Sequence, residues 1–327
     1  MRAFLAGLAA TAALAATAHA EPALWVVKDA DSEMLLFGSV HVLPPGLSWL
    51  PKALDAGLAR AEPSVWVVRD ADSEMLLFGS VHVLPPGLKW RPPALDAGLA
   101  AADDVWFELP VGPATDQEVA RLAGRVGVLG PDKSLFRLLP PADAQRLLRI
   151  ADTYGVDKAG LDRLEPWLAE VALAAAAFAK AGADTLHGVE AVLSAAAPPA
   201  ARRRALETPA EQIGLFDDAP LAEQVASLRV SLAELETDPE GYMKLVRAWL
   251  AGDAAALDRE ALQPLRKASP ALFRRLVTQR NARWTAELDT RLKGKGRTVV
   301  VVGVGHLVGD EGLPARLRAL GYSVTGP

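Results

Sequence analysis

The sequence predicts an α/β fold: a mixed central sheet built from the N- and C-terminal segments, with a large helical insertion between them. Three observations carry this. Thr298-Val299-Val300-Val301-Val302 is a continuous β-branched run, the pattern of a strand buried on both faces. Trp66–Val68, Met75–Phe78 and Val105–Leu109 are short apolar runs bounded by polar, Gly or Pro residues, as strands are. From about 114 to 293, Ala, Leu, Arg and Glu dominate and apolar residues recur at helical spacing, as in Leu147, Ile150, Tyr154 and Val225, Leu228, Leu232.

Taken in order, residues 1–20 read as a secretory signal. Arg2 precedes an apolar stretch from Ala3 to about Ala16, and Ala18-His19-Ala20 is a small-x-small cleavage site. The stretch is shorter than the ~20 residues of a membrane span. The expectation is an exported protein, periplasmic or secreted, that begins near Glu21. It has no cysteine, so core packing alone must hold it together, without disulfides.

An internal repeat follows. Residues 21–61 recur at 62–102 with seven differences. Two copies are fewer than a solenoid needs, so this reads as a recent tandem duplication or an error in the gene. The first copy carries His41 but lacks an acid: when the Val-Trp pairs are aligned, Val68 stands where the second copy continues to Glu108. The expected organisation is a signal at 1–20, a first copy at 21–61, and a domain at 62–327 with its helical insertion at about 114–293. His82, the histidine nearer to Glu108 in sequence, is expected to occupy the site.

Within that domain, Pro92–Ala102 reads as a helix between strands. Pro140-Pro141, Pro198-Pro199, Pro209, Pro220, Pro239 and Pro270 punctuate seven to nine helices in the insertion. Arg202-Arg203-Arg204 reads as a solvated helix face. Leu313–Leu320 closes the chain as a helix and Tyr322–Thr325 as a strand. The formal net charge is −5 with signs mixed, which argues against a nucleic-acid partner. No apolar run after the signal reaches spanning length.

The residues that carry chemistry are few. After the signal the histidines are His41, His82, His187 and His306. His41 and His82 end Gly-Ser-Val-His, and His306 ends Gly303-Val304-Gly305-His306. Each motif follows an apolar strand, and strand ends are where α/β sheets place ligands. Glu108 sits late in an apolar strand, where a carboxylate is costly to bury unless paired or metal-bound. His187 lies outside the pattern and reads as structural. Gly303-x-Gly305-x-x-x-Gly309 lacks the spacing of a dinucleotide loop.

Further matches join these: Gly188-Val189-Glu190, Leu206-Glu207-Thr208 followed by Gln212, Arg280-Asn281, and the closing Val-Val-Gly-x-Gly-His-Leu. In order and spacing the sequence resembles the TraB/GumN family, which includes the Tiki proteins. The resemblance covers nearly all of the chain after the signal, with one repeat copy set aside. It implies a metal-dependent hydrolase of the cell envelope, a peptidase among the options, with His82, Glu108, Arg280 and His306 as the site. His82, His306 and Glu108 would hold a divalent ion (Zn, Mn or Co), since two imidazoles and a carboxylate match a catalytic three-ligand set. Arg280 would clamp a substrate carboxylate or an oxyanion. Glu207 and Glu190 are candidates for a supporting acid or general base. The expected partner is a peptide or another small envelope substrate. The alternatives are a non-catalytic envelope protein binding metal, peptide or saccharide in the same cleft, and an ester hydrolase.

Overall fold

The computed structural model describes residues 62–327 and, before them, the backbone of two strands, β1 (Leu24–Lys28) and β2 (Glu33–Phe37), paired antiparallel with Trp25 opposite Leu36. The signal expected at 1–20, and His41, lie outside the described residues. The chain divides between Ala61 and Glu62, and the remaining elements belong to the unit that starts at Glu62.

That unit opens with a hairpin of β3 (Val65–Arg69) and β4 (Ser73–Ser80). The side chain of Asp70 accepts from the backbone N–H of Asp72 and Ser73 and fixes the turn. Helix α1 (Pro93–Ala100) crosses to β5 (Asp104–Phe107). The insertion follows with α2 (Pro113–Val126), α3 (Pro141–Tyr154), α4 (Pro166–Lys180) and α5 (Val189–Ala196). It continues through β6 (Arg202–Ala205), α6 (Pro209–Asp217), α7 (Leu221–Thr237), α8 (Gly241–Leu250) and α9 (Gln279–Leu292), with shorter helical turns between. Strand β7 (Gly296–Gly303), α10 (Leu313–Ala319) and β8 (Ser323–Thr325) complete it.

The sheet has six strands in the order β6-β5-β7-β4-β3-β8. Strands β4, β5, β6 and β7 are parallel, and β3 runs antiparallel to both β4 and β8. The α/β class and the mixed sheet drawn from both chain ends are therefore present. Val299–Val302 are buried in β7 at the sheet's centre, as their β-branched run requires. On β4, Phe78 packs with Trp90 and Trp249 at ring separations of 5.9 and 6.1 Å. The indole of Trp249 donates to Gly79 O at 2.8 Å, which pins α8 beside the end of β4. A second core lies among α3, α4 and α7, where Leu147, Ile150, Leu173, Leu228 and Leu232 are buried together.

One element differs from the expectation. Arg202-Arg203-Arg204 is an edge strand and not a helix face. Arg202 makes a bidentate pair with the buried Asp104 on β5, at 2.7 and 2.9 Å. Arg203 donates to Ala197 O and Pro198 O just beyond α5. The charges find partners in the strand conformation, and an arginine-lined edge resists further strand addition.

The register brings the C-terminal ends of the four parallel strands together. Ser80 pairs with Gly303, and Phe107 with both Val301 and Ala205. The chain leaving each strand end carries one candidate: His82 after β4, Glu108 after β5, Glu207 after β6 and His306 after β7.

Candidate functional site

Glu108 and Glu207 are neighbours because the β5–β6 ladder continues past the strands, with Glu207 N donating to Glu108 O at 2.9 Å. Both carboxylates are buried, and Arg280, from α9, stands between them. Its Nε and Nη2 bond Glu207 at 2.9 and 2.8 Å, and Nη2 also bonds Glu108 Oε2 at 2.6 Å. Its Nη1 donates to Leu276 O at 3.3 Å and to His306 Nε2 at 3.0 Å. A guanidinium has five N–H groups, and these contacts use all of them. The cation also lies 4.5 Å over the Trp284 ring. Burial is the strongest single influence on the Glu108 carboxyl and would raise it, but Arg280, the neighbouring imidazoles and the Gly303 N–H together outweigh burial, and the group is lowered to about 2.

His306 is buried beneath this network. Asn281 Nδ2 donates to Glu311 O at 2.8 Å, which turns its Oδ1 toward His306 Nδ1 at 2.7 Å. These contacts assign the proton to Nδ1 and leave Nε2 as the acceptor for Arg280. Burial, opposed only in part by the Glu108 charge, pushes His306 down to about 4, so the ring is neutral at pH 7.

His82 has a different environment. Its side chain is 64% exposed, and Nδ1 lies 2.7 Å from Glu190 Oε1. Glu190 reaches it because the start of α5 lies flush against the strand-end loop, with Val189 N donating to Val81 O at 3.1 Å. A Cβ at Gly188 would stand 2.0 Å from His82 O, so only glycine permits that approach. The Glu190 charge raises His82 above its ordinary 6.5, to about 9. Burial opposes ionisation of Glu190, but the same pairing outweighs it and lowers that carboxyl.

The two halves face each other over Gly303. Its N–H donates to Glu108 Oε1 at 2.6 Å. A Cβ there would lie 3.1 Å from Glu108 Oε1, 3.7 Å from His306 Cδ2 and 3.8 Å from His82 Nε2. The bare Cα therefore leaves a space bordered by a carboxylate oxygen and an imidazole nitrogen. The five residues named from the sequence, His82, Glu108, Glu207, Arg280 and His306, are brought to one place. Glu190, a lesser candidate from sequence, pairs directly with His82. His187 stands apart, paired with Asp184 at 2.7 Å. Sequence reasoning assigns no role to Asn281, to Trp284, or to Arg283, whose Nη2 donates to Glu207 Oε1 at 2.8 Å. Asn281 has a signal in the Arg-Asn pair; Trp284 has only its spacing one helical turn after Arg280.

The donors do not fit a metal as they stand. Glu108 Oε1 and His306 Nε2 are 3.8 Å apart, but the His306 Nε2 lone pair and Glu108 Oε2 accept from Arg280. A fixed cation holds two of the contacts that an ion would need. Among the described residues no three His, Asp or Glu side chains are grouped to hold an ion.

Compared with known proteins, residues 64–326 match the model of the TraB/PrgY/gumN family. An uncharacterised protein of Treponema pallidum (strain Nichols) is 29% identical over 180 residues, which is 51% of this chain and 53% of that protein. The chain thus spans about half the length of the curated relative it matches. No solved structure matches.

Proposed function

This chain belongs to the TraB/PrgY/gumN family, and we propose that its site is the acid–base centre of a hydrolase acting on a peptide or another small envelope substrate. One observation carries the reading: an exposed histidine, held at Nδ1 by Glu190, turns Nε2 toward the buried Glu108 carboxylate across the bare Cα of Gly303. An imidazole oriented by a carboxylate at one nitrogen and open at the other is a general acid–base group.

In this reading His82 rests as an imidazolium, because Glu190 keeps its proton through neutral pH. Glu108 Oε1 accepts from a water seated above Gly303 and orients it. The water oxygen attacks the substrate carbonyl carbon, and His82 Nε2–H gives its proton to the leaving atom as the scissile bond breaks. The water's surplus proton returns to His82 by way of Glu108. Positioned proton transfer of this kind supplies typically 10²–10⁴-fold. Arg280 has no N–H left for a substrate, so the clamp expected of it is replaced by a positioning role: it keeps Glu108 ionised and His306 turned. Glu207 neutralises and orients Arg280. The divalent ion implied by the resemblance has no place in these steps, since Arg280 holds His306 Nε2 and one oxygen of Glu108.

The reading includes export, which rests on the sequence of residues 1–20. The test is a panel of fluorogenic peptides and aryl esters with the wild type, His82→Ala and Glu190→Gln. Turnover that falls at least 10²-fold in His82→Ala while the fold is retained supports the reading. Turnover indifferent to both substitutions refutes it. A wild type that binds panel members without turning them over favours the non-catalytic alternative.

A further inference from the structure

The seven differences between residues 21–61 and 62–102 fall, in the second copy, at Ser64, Val65, Arg69, Lys89, Arg91, Pro93 and Ala101. None of these positions is buried; five are exposed and two half-buried. Every buried position in 62–102 is therefore filled by the same residue in the first copy. Trp66, Val68, Met75, Leu77, Phe78 and Trp90 correspond to Trp25, Val27, Met34, Leu36, Phe37 and Trp49. The hairpins also share a register: Trp25 faces Leu36 in one, and Trp66 faces Leu77 in the other. Yet β3–β4 is completed by β7 and β8, whereas β1–β2 is a separate two-stranded sheet, an arrangement that is marginal on its own.

We propose that residues 21–61 are a seating-competent replica of 62–102, able to take the place of β3, β4 and α1 beside β7 in the same chain. The sheet and the helices packed on it select a segment by its buried side chains, and the two segments present the same set. Two side-chain hydrogen bonds would have no counterpart after the exchange. Ser64 Oγ donates to Gly252 O, where the first copy has Ala23. Arg91 donates to Asp96 on the surface, where the first copy has Leu50. Neither bond anchors the buried set.

The chain path permits the exchange. Ala61 corresponds to Ala102, and Asp103 follows next, so residues 62–102 would leave as a loop whose ends meet. Closing a loop of about 40 residues disfavours the exchange by roughly two orders of magnitude. The second copy therefore holds the slot in the wild type and the first is a spare, which carries His41 to the position of His82.

The test uses the full chain. Leu77 is fully buried, and an aspartate there puts an unpaired carboxylate into the core, a penalty well beyond the loop-closure handicap. Leu77→Asp, Leu36→Asp and the double variant are compared by thermal melting, size-exclusion chromatography and limited proteolysis. Both single variants are expected to melt cooperatively as monomers, and the double to be unfolded. Early cleavage should lie within 21–61 in the wild type and move to 62–102 in Leu77→Asp. A Leu77→Asp chain as unfolded as the double variant overturns the proposal. So does one that folds only as a dimer, since the replica would then seat in another chain.

Discussion

His82–Glu190 and Arg280–Glu108 are both cation–carboxylate pairs, at 2.7 and 2.6 Å, and both sit at the same end of one sheet. Their surroundings separate them. Arg280, Glu108 and Glu207 are under a tenth exposed, and each finds a charged partner. His82 is mostly open to solvent. A buried network holds geometry, because losing Arg280 would leave the Glu108 carboxylate buried without its arginine. An exposed pair stabilises little but leaves a nitrogen free to meet a substrate. In this molecule the pair that contributes less to stability is the one proposed to react.

Arg280→Met challenges that contrast most severely. It takes the arginine from the buried Glu108 and leaves Glu207 with Arg283 alone, and should lower stability by about 3–5 kcal/mol, a fall in Tm on the order of 10 °C read by differential scanning calorimetry. A loss below about 1 kcal/mol would mean that water already reaches Glu108 and Glu207.

Acid should act on the same half. His306 is lowered from 6.5 to about 4 in the folded chain, so its contribution is present above pH 6.5 and lost as pH falls toward 4. Glu108 is lowered from 4.5 to about 2, so its contribution is present above pH 4.5 and lost below it. Tm should therefore decline from pH 6.5 downward and steepen below 4.5, the summed effect being a few kcal/mol. Asn281→Ala should change the upper part of this decline, because it frees His306 Nδ1. An unchanged melting profile would show that His306 does not govern it.

Gly303→Ala probes the space between the halves. Its Cβ would lie 3.1 Å from Glu108 Oε1, close enough to displace the proposed water. Turnover should fall by about 10²-fold, with a stability loss of about 1 kcal/mol. Turnover close to that of the wild type would place the reacting atoms elsewhere.

The smallest stability effect belongs to Glu190→Gln. His82 is raised from 6.5 to about 9, so what the pair contributes is present below pH 6.5 and fades as pH rises through about 9. Solvent over the ring keeps this small, and Tm at pH 7 should move by no more than about 2 °C. The alkaline limb of the pH–rate profile should shift toward 6.5. A limb that stays in place would separate His82 from the rate.

The central strand is legible in the sequence because four valines in a row fit little besides a strand buried on both faces. The two Gly-x-x-His motifs are legible because they follow strands, and strand ends converge. β6 is hidden: three arginines carry no alternation and become a strand only when Asp104 receives Arg202. Glu190 carries little weight in the sequence because a lone helix-start glutamate has no signature. Its partner is 108 residues away, and their meeting depends on the close approach at Gly188. Arg280 is misread as a substrate clamp for a similar reason, since sequence shows the guanidinium but not the acceptors that use it up.

A histidine NMR titration of the chain from Glu21 to Pro327, with and without one equivalent of zinc, distinguishes the holding network from the proposed reacting pair most directly. His82 should titrate above 6.5 and return toward 6.5 in Glu190→Gln. His306 should remain the Nδ1–H tautomer down to about pH 5, just above its lowered titration point, and zinc should leave both signals in place. If zinc shifts His82 and His306 together at one equivalent, Arg280 yields to an ion, and the division between the two pairs is wrong.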